Sequence, residues 1–202
     1  MREKGLNYSL NFGVSIPQLK NIAGKFSRNH ELAEYCRKSK SREMNILATL
    51  LYPVDGFSSE TADECVKNIP TTEIARQYCM NLFQYLPYAE EKAISWITHE
   101  SVSIRTTGYL LLLRLLAKNT PVSKENERIF LSRVKDDSES DYFALKEASI
   151  DCLKRYGRRN KAYAEEALHC ISDFEKSSDP AKKEYYEAVK FDLEFYLDIK
   201  SP

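Results

Sequence analysis

Four segments with helical periodicity can be aligned on one register, whose positions are Asn45, Arg76, Arg105 and Lys146. Three residues after each position comes a small residue, and these are Ala48, Cys79, Gly108 and Ser149. Each segment also has an apolar or small residue six positions on and a larger one seven positions on. The register positions are separated by 31, 29 and 41 residues. A recurrence in this range is typical of stacked helix pairs, in which a small residue lets neighbouring helices approach closely.

The repeat predicts an all-α fold, a HEAT-like helical-repeat solenoid. In such a fold, antiparallel helix pairs form a curved superhelix with a concave groove. The register residue comes one turn before the small residue, so it can point into that groove. Three cations and one amide would then line the concave face. We find no flexible linker and therefore expect a single domain over residues 1–202.

Composition agrees with a helical protein and limits the possible functions. Hydrophobic residues make up 43% of the 202, while glycine and proline number only 6 and 7, which argues against a turn-rich β-protein. Lysine and arginine balance aspartate and glutamate at 30 each, which leaves room for a local basic groove without an overall basic charge. Neither a membrane-spanning run nor a signal-peptide core is found, so we expect a cytoplasmic protein without a membrane partner.

Capping residues and prolines predict where the helices begin and end. Ser15 precedes Ile16 and Pro17, and Asn29, Ser41 and Thr71 or Thr72 can cap later helices. Helices are predicted at about 16–26, 29–36, 41–51, 72–86, 88–97, 101–118, 123–135, 141–156, 160–174 and 180–197. One more helix ends at Pro70 and could begin at Ser58, at Ser59 or with a capping box at Thr61. No stretch alternates strongly enough to predict a strand.

The cysteines and histidines predict neither a disulfide nor a metal site. The five cysteines form no CxxC pair, and Cys65, Cys79, Cys152 and Cys170 lie among apolar residues at helical spacing, as buried free thiols do. The three histidines are far apart, so we expect no metal and no cofactor.

Most of the aromatic residues are expected to serve packing. Trp96, the sole tryptophan, is flanked by Ile94 and Ile97 and is expected in the core. The last helix carries Tyr185, Tyr186, Phe191, Phe195 and Tyr196. At that spacing we expect them to join the core or to close the terminal repeat, and not to form a stacking platform.

Several short segments, in order along residues 11–160, carry a family resemblance. They are residues 11–23 (NFGVSIPQLKNIA), 31–33 (ELA), 42–48 (REMNILA), 79–83 (CMNLF), 105–108 (RTTG) and 156–160 (YGRRN). Together they resemble the DNA alkylation repair family, the HEAT-like-repeat DNA glycosylases that excise positively charged alkylpurines. The resemblance implies a DNA partner, including alkylated duplex DNA.

The resemblance also implies where an active site would lie. The family site has a tryptophan, an aspartate four residues later, an arginine one repeat on and a second tryptophan further along. The carboxylate stabilises an oxocarbenium-like sugar, the aromatic faces attract the cationic base, and the arginine holds a phosphate. In this sequence the four positions are Thr72, Arg76, Arg105 and Ile150. Only the arginine is kept.

Position 76 is the most consequential of these differences because the charge is reversed. A guanidinium a few Å from a developing sugar cation would repel it by more than ~1 kcal/mol even with strong screening. Glu73 is the nearest carboxylate along the chain and lies on the same side of the helix, so it could substitute only if the helix were rotated.

Three functions follow as hypotheses. The first is binding of a DNA backbone without base excision, with phosphate contacts from Arg76, Arg105, Lys146, Arg158, Arg159 and Lys161. The second is an active glycosylase with a rearranged site. The third is a protein-binding scaffold, in which the same cations would form salt bridges to acids of the next repeat.

Overall fold

The computed structural model describes residues 9–200, and the side chains of residues 9–198. This part of the chain contains twelve α-helices and a short 3-10 turn at Phe83–Tyr85, with no β-strand beyond one isolated bridge. The helices are α1 Ile16–Ala23, α2 His30–Arg37, α3 Arg42–Leu51, α4 Ser59–Lys67, α5 Thr72–Asn81, α6 Ala89–Ile97, α7 Val102–Ala117, α8 Lys124–Ser138, α9 Phe143–Gly157, α10 Lys161–Cys170, α11 Ser172–Glu175 and α12 Pro180–Lys200. The predicted all-α class is confirmed.

The capping residues start the helices as the sequence predicts. Ser15 forms a reciprocal capping box with Gln18 at the start of α1. Asn29 accepts a hydrogen bond from the Leu32 backbone N–H, and Thr71 starts α5 in the same way. Among the alternatives for α4, Ser58 is the N-cap.

Three predicted helices are shorter or divided in the structure. The helix expected at 16–26 ends at Ala23. The helix expected through residue 86 ends at Asn81, where Leu82 leaves the helical region with φ −133° and ψ −67°. The side-chain amide of Gln84 then donates to the carbonyl of Met80, which a continuing α-helix would pair with the Gln84 backbone N–H. The helix expected at 160–174 breaks at Ile171, so α10 and α11 are separate elements.

The chain forms two compact units, Met1–Lys92 and Ala93–Pro202, and the boundary falls within α6. In the N-terminal unit α3 packs against α1, α2 and α5. In the C-terminal unit α9 is central and packs against α7, α8, α10 and α12. The expectation of a single domain over the whole chain remains a prediction.

The small residues of the register are buried, as predicted. Ala48, Cys79 and Ser149 are almost fully buried, and Gly108 is buried on α7. A Cβ atom at Gly108 would lie 2.6 Å from the Ile97 backbone nitrogen and 2.9 Å from the Ala93 carbonyl oxygen. The backbones of α6 and α7 are therefore in direct contact at Gly108.

The thiols and aromatics follow the predictions only in part. Four free cysteines are buried, but Cys170 is half-buried at the end of α10. Burial raises the pKa of Cys65 to about 11, so its thiol is not a nucleophile at neutral pH. Trp96 is in the core as predicted. The prediction for the last helix is wrong for Phe191 and Phe195, which are 71% and 60% exposed.

The close approach at Gly108 gives a direct test of the helix packing. Gly108→Ala should lower the free energy of unfolding by about 1–3 kcal/mol, because the methyl group meets backbone atoms that cannot move aside. The matched control is Gly24→Ala, whose Cβ would lie 3.4 Å from the Lys20 carbonyl oxygen and 3.8 Å from that of Asn21. These are ordinary contacts, so this variant should be more stable by up to about 1 kcal/mol. Urea denaturation of both variants measures the difference, and equal stabilities would contradict the close contact.

Candidate nucleic-acid interface

Arg76 lies on α5 between the buried residues Ala75 and Gln77 and is itself half-buried. Its side chain forms no hydrogen bond or ion pair with any residue in the described range 9–198. Thr72, at the position of the first family tryptophan, lies one turn earlier and is also half-buried. The site that the resemblance locates on α5 therefore has a threonine in place of the first tryptophan and a cation without a counter-charge among residues 9–198.

Glu73, the nearest carboxylate along the helix, is committed to another residue. Its oxygens accept from Arg42 on α3, with Nε at 2.9 Å from Oε2 and Nη2 at 2.5 Å from Oε1. Arg42 is only 7% exposed and also donates to the Val14 carbonyl at 3.2 Å. Glu73 cannot serve as a free carboxylate without giving up its hydrogen bonds to this buried guanidinium.

The first residues of the family resemblance lie next to Glu43, which follows Arg42 in the chain. Burial raises the pKa of Glu43, but the nearby backbone N–H groups of Phe12 and Val14 and the hydrogen bond from the Ser41 hydroxyl outweigh it and lower the pKa below its ordinary value. Gly13, between those two residues, adopts φ +74°, a backbone conformation that favours glycine.

Asn45, the register amide, is buried and faces the chain's own backbone. Its Nδ2 donates to the carbonyls of Ser39 at 2.8 Å and Ser41 at 2.9 Å. Because both hydrogen bonds hold the turn before α3, the N–H donors of the Asn45 side chain are already used within the fold. This residue is not available to a ligand in the way that the register predicts.

Arg105, the one family site residue kept in this sequence, is paired inside the C-terminal unit. Its Nε lies 3.0 Å from Oδ1 of Asp137 on α8, and its Nη1 donates to the Glu100 carbonyl at 3.0 Å. Asp137 is 2% exposed and also accepts from the Tyr109 hydroxyl at 2.8 Å. Arg105 therefore neutralises a buried carboxylate and links α7 to α8.

Lys146 occupies the first turn of α9 and is half-buried. Within the described part of the chain its ammonium group has no hydrogen-bond or ion-pair partner. Ile150, at the position of the second family tryptophan, follows one turn later and is half-buried. Lys146 thus resembles Arg76 in having a charge without an internal counter-charge.

The remaining predicted cations surround the turn from α9 to α10. Arg158 Nε donates to Asp192 of α12 at 2.9 Å, and Arg159 pairs with the buried carboxylate of Glu127 on α8. The Arg159 guanidinium also lies 3.9 Å from the centroid of the Tyr163 ring. Lys161 is exposed, and no described residue pairs with it.

A cavity of about 530 Å³ lies at this turn. Three of the predicted cations line it, together with two carboxylates, and the complete lining is Arg158, Arg159, Asn160, Lys161, Glu194, Leu197 and Asp198. The mixture of charges makes this surface less basic than the motif YGRRN predicts from sequence. The acids come from the last helix, which the motif does not include.

The predicted cations fall into two groups. Arg105, Arg158 and Arg159 are paired with carboxylates, whereas Arg76, Lys146 and Lys161 have no partner among residues 9–198. The pairs Arg42–Glu73, Arg159–Glu127 and Arg158–Asp192 are separated by 31, 32 and 34 residues. These three pairs therefore each join residues about one repeat apart along the chain.

Comparison with known proteins places the chain in a family. The sequence profile described as DNA alkylation repair enzyme matches residues 5–187. The chain belongs to this family, as the short segments indicate. No curated protein matches it.

A solved structure supports the HEAT-like fold. It is described as a new family of proteins related to the HEAT-like repeat DNA glycosylases with affinity for branched DNA structures. The TM-score is 0.79 at 16% sequence identity, over 96% of this chain and 86% of that one. This likeness confirms the HEAT-like helical-repeat fold. Among the helices described, none is long and apolar enough to span a bilayer.

The Asp137 cluster can be tested apart from any ligand. Asp137→Asn should lower the free energy of unfolding by about 3 kcal/mol, because it leaves the Arg105 guanidinium unpaired. Tyr109→Phe should cost only about 1 kcal/mol, since it removes one hydrogen bond. Asp141→Asn, on an exposed carboxylate, is the matched control and should change little. If guanidinium denaturation shows the two aspartate variants equally stable, the assignment is wrong.

Proposed function

We propose that this protein binds DNA through its phosphate backbone and does not excise bases. The observation that carries the proposal is the state of Arg76, a half-buried cation without a partner in the described residues, at the position where the family resemblance puts the catalytic carboxylate. A partly buried cation without a counter-charge is favourably placed for an anionic ligand.

The argument against excision is electrostatic. Leaving of an alkylated base creates positive charge on the sugar, which needs a nearby carboxylate. Arg76 offers the opposite charge, and Glu73 is engaged by Arg42. Thr72 and Ile150 provide no aromatic face for a cationic base.

The argument for DNA rests on the unpaired cations and on the family. Arg76, Lys146 and Lys161 are the predicted contacts whose charge is not used inside the fold, and they would bind phosphates directly. Arg105, Arg158 and Arg159 would contribute through the groups not taken by their carboxylates. We extend the proposal to branched DNA because the solved relative is described as having affinity for branched DNA structures.

The first test is for chemistry. We expect no release of 7-methylguanine or 3-methyladenine from alkylated duplex DNA above the protein-free control, measured by chromatography of released bases, with an active alkylpurine glycosylase as positive control. Release that disappears in Glu73→Gln or in Arg105→Ala would falsify the proposal and establish a rearranged active site. Circular dichroism must show that these variants remain folded, because both substitutions break internal ion pairs.

The second test is for binding. Anisotropy titrations on a labelled four-way junction and on a linear duplex should show affinity that falls steeply with salt. Three phosphate contacts predict a slope of log K against log salt of roughly −2 to −3. Arg76→Ala and Lys146→Ala should each make the slope shallower by about 1, equally for all sequences and for intact and alkylated DNA.

The control variant is Lys20→Ala, which removes an exposed lysine of α1 outside the proposed contacts and should leave the slope unchanged. Arg105→Ala is a poor test of contact because it also leaves Asp137 unpaired. A flat salt response, or no binding at low salt, would instead favour the scaffold hypothesis.

A further inference from the structure

The outward face of α12 carries two phenylalanines where a polar surface is expected. Phe191 and Phe195 are 71% and 60% exposed, and their rings stack on each other at a centroid distance of 6.3 Å and an interplanar angle of 18°. The opposite face of the helix packs inward through Tyr186, Val189 and Leu193. The exposed pair is therefore not part of the core of the C-terminal unit.

The same outward face is acidic. Four exposed carboxylates lie on it at helical spacing around the phenylalanines, and they are Glu184, Glu187, Glu194 and Asp198. The cations at one edge of this face are the exposed Lys183 and the half-buried Lys190. Lys182 is already paired with Glu139 of α8. We name the surface formed by the two phenylalanines and the four carboxylates the α12 face.

An acidic face with exposed aromatic rings is unusual at this position. The exposed face of a helix in a globular protein is usually polar, and carboxylates alone would make it so. Two exposed aromatic rings held side by side add apolar area that water does not favour. Aromatic residues surrounded by charges are typical of the centre of a protein–protein interface.

We propose that the α12 face binds a basic amphipathic helix of a partner protein, whose apolar residues cover Phe191 and Phe195 and whose lysines or arginines meet the surrounding carboxylates. The occupant follows from charge complementarity: the apolar centre requires apolar side chains, and the acidic surround requires cations. At one end of this surface Glu194 and Asp198 also line the cavity with the proposed DNA contacts Arg158, Arg159 and Lys161. The test therefore uses the two phenylalanines and Glu187, which do not line that cavity.

Charge disfavours the two other occupants. A second copy of the chain that paired through this face would bring four carboxylates against four others, which costs free energy at every close pair. DNA would bring phosphates against the same carboxylates. Both occupants are outcomes that the experiment distinguishes.

The experiment uses the full chain and two synthetic helical peptides of about 18 residues. One has leucines along a single stripe and lysines elsewhere, and the other has glutamates in place of the lysines. Fluorescence anisotropy should show binding of the lysine peptide that weakens with added salt, and no binding of the glutamate peptide.

Variants locate the binding on the α12 face. Phe191→Ser with Phe195→Ser should weaken the lysine peptide at least about tenfold. Phe26→Ser, at a phenylalanine 56% exposed in the N-terminal unit, is the matched control and should have no effect. Glu187→Lys should also weaken binding, whereas Glu165→Lys, on an exposed carboxylate of α10, should not. All of these residues are exposed, so thermal denaturation should report unchanged stability.

Four other outcomes of these experiments would contradict the proposed binding of a basic helix. Equal binding to all variants would mean that the peptide adheres to the protein's acids in general. Self-association in sedimentation that disappears in the double phenylalanine variant would identify a second copy as the occupant. A DNA affinity that falls in the same variant would assign the face to DNA, and absence of peptide binding at low salt would remove the proposal.

Discussion

The carboxylate of Asp137 is almost completely buried, and a charge in the interior must be compensated where it lies. Arg105 and Tyr109 supply that compensation from the neighbouring helix, and Arg42 and Glu73 perform the same task between α3 and α5. These pairs join one helix to a helix of the next repeat, so each unit depends on them for the register of its helices. The need to neutralise buried acids also determines which cations can bind a ligand. An arginine that is paired with a buried carboxylate attracts an external anion less strongly.

The fold is largely predictable because its signals are local. Ser15 and Asn29 start their helices through side-chain oxygens only three residues from the amides they accept, so the sequence contains both partners. Gly108 is predictable for a different reason: a small residue recurs three positions after each register position, which marks a helix contact. The end of α5 is not predictable in this way. It depends on Gln84 replacing a backbone donor, which no periodicity expresses.

The candidate site is less predictable because its determinants are distant in sequence. The register identifies Arg76 and Arg105 as equivalent positions, yet one has no counter-charge among the described residues and the other has Asp137 beside it. Nothing near either arginine distinguishes them, since the acid lies on a different helix. The pairing of Glu73 is hidden for the same reason, because its partner Arg42 lies 31 residues away.

The two proposed surfaces explain how a chain with 30 acidic and 30 basic residues can bind DNA. Net charge sets the long-range attraction to a polyanion, but contacts depend on local charge within about 10 Å at ordinary salt. The acids of the α12 face lie around Phe191 and Phe195, whereas Arg76 and Lys146 have no acid bound to them in the range described. A basic partner that covers the α12 face would neutralise part of the acidic charge. The repulsion between DNA and the C-terminal unit would then decrease, so the two binding events would favour each other even without a change in conformation.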